Sequence, residues 1–299
     1  MEMDTAAEQL RNELRQLYAD GSKHSVYQNV PAFVSDALGY TEKIDELWRG
    51  DTARYQYLVS RLDLAGQAIV DVGANTGFFA LSLAHRCRDA RVTAVEGNPN
   101  HASFIRRIAA LFEMSNVEVR CAYADYAGSL LLPECDTMLL LNILHHAGVD
   151  FDLGMVAQPS ALADYVIEYL GRIKMRTRRV VFQMGYHWGG NKQRPIVPLA
   201  QDAEKIVYTS GLFRACGWTI RSVAVARPTD QPPFRAYDNL PETVVEALNV
   251  GAGLKPARIV AAVESALPAR LPELSEFYRR PLLVCERRAV DGGSSCART

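Results

Sequence analysis

The sequence has no apolar run of the roughly 18 residues that a membrane-spanning helix needs, and no membrane partner is expected. None of its six cysteines, Cys87, Cys121, Cys135, Cys216, Cys285 and Cys296, forms a CxxC pair. Their spacing suits neither a zinc knuckle nor a disulfide framework. Small buried hydrophobes in a reducing cytoplasm are the expectation. Charge of one sign is not in surplus either: 33 basic residues face 34 acidic ones, for a formal net charge of -1. A broad electrostatic grip on nucleic acid is therefore not expected. The opening stretch MEMDTAAEQLRNELRQLYADG is acidic and amphipathic, without the basic and apolar regions of a signal peptide, so a cytoplasmic location is expected. Internal repeats are absent.

What is present is ordinary globular material. Hydrophobic residues make up 48% and charged residues 22% of the 299, which excludes a disordered chain. The length allows one large domain or two ordinary ones. Residues 1–20 read as a helix with Leu10, Leu14 and Leu17 on one face. Further short helical pieces follow to residue 68, dense in aromatics: Tyr27, Phe33, Tyr40, Trp48, Tyr55 and Tyr57. That segment is either a cap over a pocket or plain helix packing.

From residue 68 apolar runs and helical spacings alternate. Strands are expected at 68–73, 91–96, 117–123, 136–144, 180–185 and 218–226. Between them, helical spacing appears at 77–84, after the Asn98–Pro99 cap pair, at Leu162 to Ile173, and at 203–216 before Gly217. This rhythm means a parallel sheet covered on both faces. It breaks at the proline-rich 227–234; helices at 241–249, 256–267 and 271–279 and a last strand at 280–288 are expected. The chain thus divides into an N-terminal helical extension (1–67), an α/β domain (68–288) with a helical insertion (227–279), and a tail (289–299) of disorder-like composition.

The sharpest motif is VDVGANTGFFALSLA at 70–84, where a strand carrying Asp71 runs through Gly73, Asn75 and Gly77 into a helix. Glycines there let a backbone approach a ligand, at the strand ends where open parallel sheets bind one. The spacing is GxxxG, since Asn75 stands where nicotinamide-binding loops have a second glycine. Glu96, followed by Gly97 and Asn98, ends the next strand; a carboxylate there can accept both hydroxyls of a ribose. Asp125, beside Tyr126, follows the third strand and is placed to take an adenine amino group. Any one of these is a common loop residue; three at successive strand ends form a pattern.

Asp71, Gly73 and Gly77, then Glu96, then Asp125, resemble the cofactor motifs of class I S-adenosylmethionine-dependent methyltransferases. The resemblance covers residues 68 to about 226. It implies a seven-stranded Rossmann-like α/β sheet with an antiparallel last strand, S-adenosylmethionine as cofactor and S-adenosylhomocysteine as product. It also implies that the 73–77 loop lies against the methionine part, that Glu96 binds ribose and that Asp125 contacts adenine.

In such enzymes the residues after the fourth strand face the methyl group, which brings Asn142, His145 and His146 of LLLNILHHAGVDFD (139–152) to the reaction. A neutral imidazole suits removal of an acceptor proton, and His146, further into the loop, is the first candidate. The alternatives for the pair are structural hydrogen bonds or a metal, but no third ligand stands at a helical offset, so no metal is expected. After the fifth strand, Gln183, Tyr186, His187, Trp188, Lys192 and Arg194 follow. His187 is a reserve base, Tyr186 and Trp188 candidate walls of an acceptor pocket, and Lys192 and Arg194 candidate holders of an anionic group. The basic run 172–179 ends a helix, where cations offset the dipole.

The reading is methyl transfer to oxygen or nitrogen of a small or medium polar acceptor: a natural product, carbohydrate or phosphate-bearing metabolite. The rivals are an RNA or protein methyltransferase, a nicotinamide oxidoreductase and a non-catalytic cofactor-binding protein. The sequence does not specify an oligomeric state.

Overall fold

A computed structural model describes residues 2–19, 28–39, 50–250 and 256–287. Tyr27, Tyr40, Trp48, Cys296 and the 289–299 tail lie outside them. No helix among the described residues is long and apolar enough to cross a membrane.

The chain begins with α1 (Glu2–Ala19), α2 (Ala32–Leu38) and α3 (Asp51–Arg61), then alternates β1 (Ala68–Val72), α4 (Phe78–Arg86), β2 (Arg91–Glu96), α5 (Pro99–Leu111), β3 (Val117–Cys121) and β4 (Cys135–Leu141). It continues with α6 (Leu162–Ile173), β5 (Thr177–Gln183), α7 (Asp202–Ala215), β6 (Trp218–Pro228), β7 (Arg235–Asn239), α8 (Glu242–Val250), α9 (Pro256–Ala266) and β8 (Leu282–Arg287). The sheet order is β3-β2-β1-β4-β5-β8-β6-β7. β1 to β5 pair in parallel, and β8 lies antiparallel between β5 and β6. With β7 set aside, this is the seven-stranded sheet with an antiparallel last strand that the motifs imply.

Two-residue periodicity divides the core into layers. Val70 and Val72, Met138 and Leu140, Val180 and Phe182, and Leu283 and Cys285 face one layer, which holds residues of α6, α7, α8 and α9. Ile69, Leu139, Val181, Leu282 and Val284 face the other, under α1 to α5. Strands buried on both faces need side chains apolar at both parities, hence the near-continuous runs in the sequence. Each such side chain contributes roughly 1.5–3 kcal/mol through burial. α5 starts where its cap pair places it: Asn98 accepts the Asn100 N–H at 2.9 Å, with Pro99 at the first helical position.

Two expectations are corrected. The segment between β6 and β8 is not purely helical: residues 235–239 form β7, antiparallel to β6, making eight strands. Arg235 and Tyr237 are buried and Asp238 and Asn239 exposed, in a strand too short and too charged to stand out beside the prolines. The helix expected at 271–279 is only a 3-10 turn, Leu271–Glu273, which ends where Leu274 goes extended at ψ 145°. Pro281 biases Arg280 away from helical dihedrals, and Tyr278 is held against the Arg235 guanidinium at 3.6 Å.

The N-terminal aromatics that can be placed pack on the sheet and its helices. Phe33 stacks on His85 at 4.0 Å, Tyr55 meets Phe78 edge-on at 6.1 Å, and the Tyr57 hydroxyl bonds Asn239 at 2.6 Å. The same extension touches the glycine loop's helix, where Gln28 accepts the Phe78 N–H at 3.0 Å.

Candidate active site

The order of the parallel strands reverses between β1 and β4, and beyond the carboxyl ends at such a reversal open α/β sheets bind their ligands. β1 delivers Asp71 just below that rim. Its Oδ2 accepts the Ala80 N–H at 3.1 Å, capping the first turn of α4. Burial, opposed by that hydrogen bond and helped by the Glu96 charge, pushes the Asp71 carboxyl up to about 7.

The loop that follows turns through Gly73 at φ 66°, Asn75 at φ 51° and Gly77 at φ 85°. A Cβ on Gly77 would lie 2.7 Å from Ile105 Cγ1, and one on Gly73 would lie 2.8 Å from Ile143 Cδ1. Both glycines are thus required by conformation and by close approach. The N–H groups of Gly73 and Ala74 donate to the Val95 carbonyl at 2.8 and 3.1 Å, which ties the loop to β2.

Glu96 at the end of β2 completes the tie. Its Oε2 accepts the Asn75 N–H at 2.7 Å and its Oε1 the Asn98 N–H at 2.8 Å. Burial raises its pKa, and these backbone donors oppose the shift. A carboxylate has about four acceptor sites; with the Gly97 N–H also acting on it, about one is left for a hydroxyl donor. Gly97 beside it has no side chain where the Tyr123 ring passes.

After β3, Asp125 Oδ1 accepts the Gly128 N–H at 2.6 Å. The Tyr126 N–H donates to Asp152 Oδ2 at 2.7 Å, and its ring lies under Arg172 at 4.1 Å. Asp152, which also accepts the Tyr165 hydroxyl at 2.6 Å, pins this loop to the one that follows β4. Sequence reasoning left Asp152 unassigned.

Beyond β4, Asn142 turns the chain at φ 60°. Its amide donates to Gln183 Oε1 at 2.9 Å and its carbonyl accepts from Arg280 Nη1 at 2.8 Å. Gln183 also accepts Arg54 Nη1 at 2.9 Å, and Arg54 bonds Asp51 at 2.5 Å. α3, β4, β5 and the lead-in to β8 therefore share one polar network. The bonds that bring Arg54 to Gln183 and Arg280 to Asn142 had no local signal, since each spans more than a hundred residues.

The two histidines differ in environment. His145 is buried, 2% exposed, with its ring against Gly185, where a Cβ would meet His145 Nε2 at 2.7 Å. His146 is 16% exposed in its side chain, and its Nδ1 stands 2.5 Å from Asp150 Oδ2. The rings lie 4.2 Å apart. An imidazole held by a carboxylate at Nδ1 presents Nε2 outward, the arrangement of a general base. Of the two, His146 is the more exposed and stands beside a carboxylate.

The residues after β5 are dispersed. His187 Nδ1 is 3.5 Å from Glu276 Oε1. Tyr186 is buried, its hydroxyl within 2.9 Å of Thr209 Oγ1 on α7. Trp188 is buried, with Nε1 donating to the Ala147 carbonyl at 2.6 Å and Arg194 stacked on its ring at 3.9 Å. Lys192 and Arg194 are exposed. Tyr186 and Trp188 thus bind the chain after β5 to α7 and to the His146 loop.

No family model and no curated protein matches the chain. Among solved structures it is similar to the bifunctional kinase-methyltransferase WbdD, at 20% identity over 62% of this chain and 39% of that one, TM-score 0.42. It is also similar to the [4+2]-cyclase SpnF, at 15% identity over 93% and 94% of the two chains, TM-score 0.47. A third is precorrin-6y C5,15-methyltransferase from Geobacter metallireducens, at 12% identity over 77% and 84%, TM-score 0.40. The chain spans about two fifths of the WbdD chain's length. Independently of these likenesses, the strand order and the antiparallel β8 are those of the class I methyltransferase fold.

Proposed function

We propose that the protein transfers a methyl group from S-adenosylmethionine to an oxygen or nitrogen of a small or medium polar acceptor, such as a natural product, a carbohydrate or a phosphate-bearing metabolite. The observation that carries this is the coupling of Glu96 to the glycine loop at the point where the strand order reverses. The residues fit such a cofactor: a side-chain-poor turn for the methionine part, a carboxylate with a spare acceptor site for the ribose, and Asp125 with Tyr126 for the adenine. When bound, the cofactor supplies an activated methyl on a sulfonium.

The chain's own contribution is position and proton removal. The network through Asn142, Gln183, Arg54 and Arg280 fixes the end of β4, so the acceptor's approach is set by rigid elements. His146 Nε2 takes the acceptor's proton, while Asp150 holds the ring and stabilises the imidazolium that forms. Calorimetry with S-adenosylmethionine, S-adenosylhomocysteine and a nicotinamide dinucleotide tests the reading. Micromolar binding of the first two, about -8 kcal/mol, is expected; no binding, or tighter binding of the nicotinamide, overturns it.

A further inference from the structure

Arg280 is a cation that the described structure leaves without a carboxylate partner. It stands two residues before β8, and its side chain reaches back across β5 to the end of β4. Nη1 donates to Asn142 Oδ1 at 2.8 Å, and the guanidinium lies over the Phe277 ring at 4.5 Å. No other hydrogen bond from its five N–H groups is found among the described residues, and no ion pair. The carboxylate that acts on it most is Glu276, from beyond ion-pair distance. Glu276 is already shared by His187 and Lys205, each at 3.5 Å. Burial and the nearby Arg54 both work against the charge on Arg280, pushing its pKa down to about 10.

A guanidinium so placed is costly unless its donors are matched. The free end points toward Gly185 and His145. A Cβ on Gly185 would lie 2.9 Å from Arg280 Nη2 and 2.7 Å from His145 Nε2, so cation and imidazole border the same spot, which a glycine keeps clear. The side chain as a whole is part-buried. A planar fork with unused parallel donors matches a carboxylate or phosphate.

We propose that Arg280 anchors an anionic group, carboxylate or phosphate, on the methyl acceptor, which makes the acceptor an organic anion; this rests on the methyl-transfer reading above. The cofactor's own carboxylate is the other source of such a group. The location favours the acceptor: the guanidinium sits at the end of β4, and its free Nη2 borders His145 Nε2 across Gly185, whereas Glu96 ends β2, two strand positions away.

The test uses the full chain saturated with S-adenosylhomocysteine and three probes: inorganic phosphate, benzoate and neutral benzamide. Phenylglyoxal modification of Arg280, followed by peptide mass spectrometry, reads occupancy on the wild-type protein. Phosphate or benzoate, but not benzamide, should slow the modification. Calorimetry should show anion binding weakened by about tenfold or more in Arg280→Gln, less in Arg280→Lys, with the affinity for S-adenosylhomocysteine unchanged in both. An Arg280 inert to the reagent in the free protein overturns the proposal, as does protection by neither anion. Protection by S-adenosylhomocysteine alone, with its affinity lost in Arg280→Gln, assigns the arginine to the cofactor and also overturns it. Failure of S-adenosylhomocysteine to bind the wild type refutes methyl transfer, whereas anion protection is read separately on the same protein.

Discussion

The Asn75 N–H donates to Glu96 Oε2 at 2.7 Å, which joins the glycine loop after β1 to the end of β2. One carboxylate therefore shapes the loop, and it is the proposed acceptor for the ribose. Replacing Glu96 with Ala removes both contributions. S-adenosylmethionine binding should weaken by about 1.5–3 kcal/mol, the worth of hydrogen bonds to a charged group, and calorimetry reads it. Glu96→Gln keeps an acceptor but turns an amide toward backbone donors, so it should restore only part of the loss. Wild-type affinity in Glu96→Ala would mean that Glu96 serves the loop alone.

Gly77 and Gly73 should differ in cost. Both sit at positive φ, so alanine is strained at each by about 1–2 kcal/mol. At Gly77 the new methyl meets Ile105 Cγ1, the middle of a fully buried side chain. At Gly73 it meets Ile143 Cδ1, the free end of a side chain that can turn aside. Urea melts should show Gly77→Ala losing about 2–4 kcal/mol and Gly73→Ala less. Equal losses would mean that strain, not crowding, dominates.

The raised pKa of Asp71 gives stability a defined pH dependence. The unfolded carboxyl loses its proton near pH 4; the folded one keeps it to about 7. Between these values the native state holds the extra proton, so stability falls as pH rises across the window and levels off above it. Asp71→Asn still accepts from Ala80 but cannot ionise. Relative to wild type it should gain stability from pH 4 to 7, by up to about 4 kcal/mol. Denaturation midpoints at several pH values check the slope; parallel curves for the two proteins would reject the shift.

What the sequence revealed depended on range. The strands of β1, β2, β4 and β5 were legible because burial on both faces demands apolar residues at both parities, and Gly73, Gly77 and Glu96 because each stands at a strand end within a short motif. Asp150 was visible as a residue four positions after His146, but the pairing depends on the loop's curl, in which the Gly148 N–H bonds the Phe151 carbonyl at 2.7 Å. The Arg280–Asn142 bond joins residues 138 apart, and no periodicity reports such a contact. Tyr186 and Trp188 illustrate the converse: polar-tipped aromatics in a glycine-rich stretch suggest an open pocket wall, yet their hydroxyl and indole N–H are used inside, on Thr209 and Ala147.

Catalysis gives the sharpest prediction, because the His146–Asp150 pair separates two accounts. If His146 is the base, His146→Ala should cut turnover by about 100-fold with cofactor affinity unchanged. His145→Ala should cost less, since that ring is enclosed. Asp150→Asn leaves the base but removes the carboxylate that orients it and favours its charged form, so turnover should fall by about tenfold. The neutral imidazole is the active form, and losing a neighbouring negative charge lowers its pKa. The acid limb of the pH–rate profile should therefore move to lower pH in Asp150→Asn, which a merely structural role for Asp150 would not produce. If positioning alone drives the reaction, each replacement costs under about tenfold and the profile follows the acceptor's own ionisation. Turnover of the three variants from about pH 6 to 9, the range in which an imidazole titrates, decides between them. An unmoved acid limb in Asp150→Asn, together with a small loss in His146→Ala, would remove the pair from the chemistry and leave the Asn142–Arg280 contact as the place to look for it.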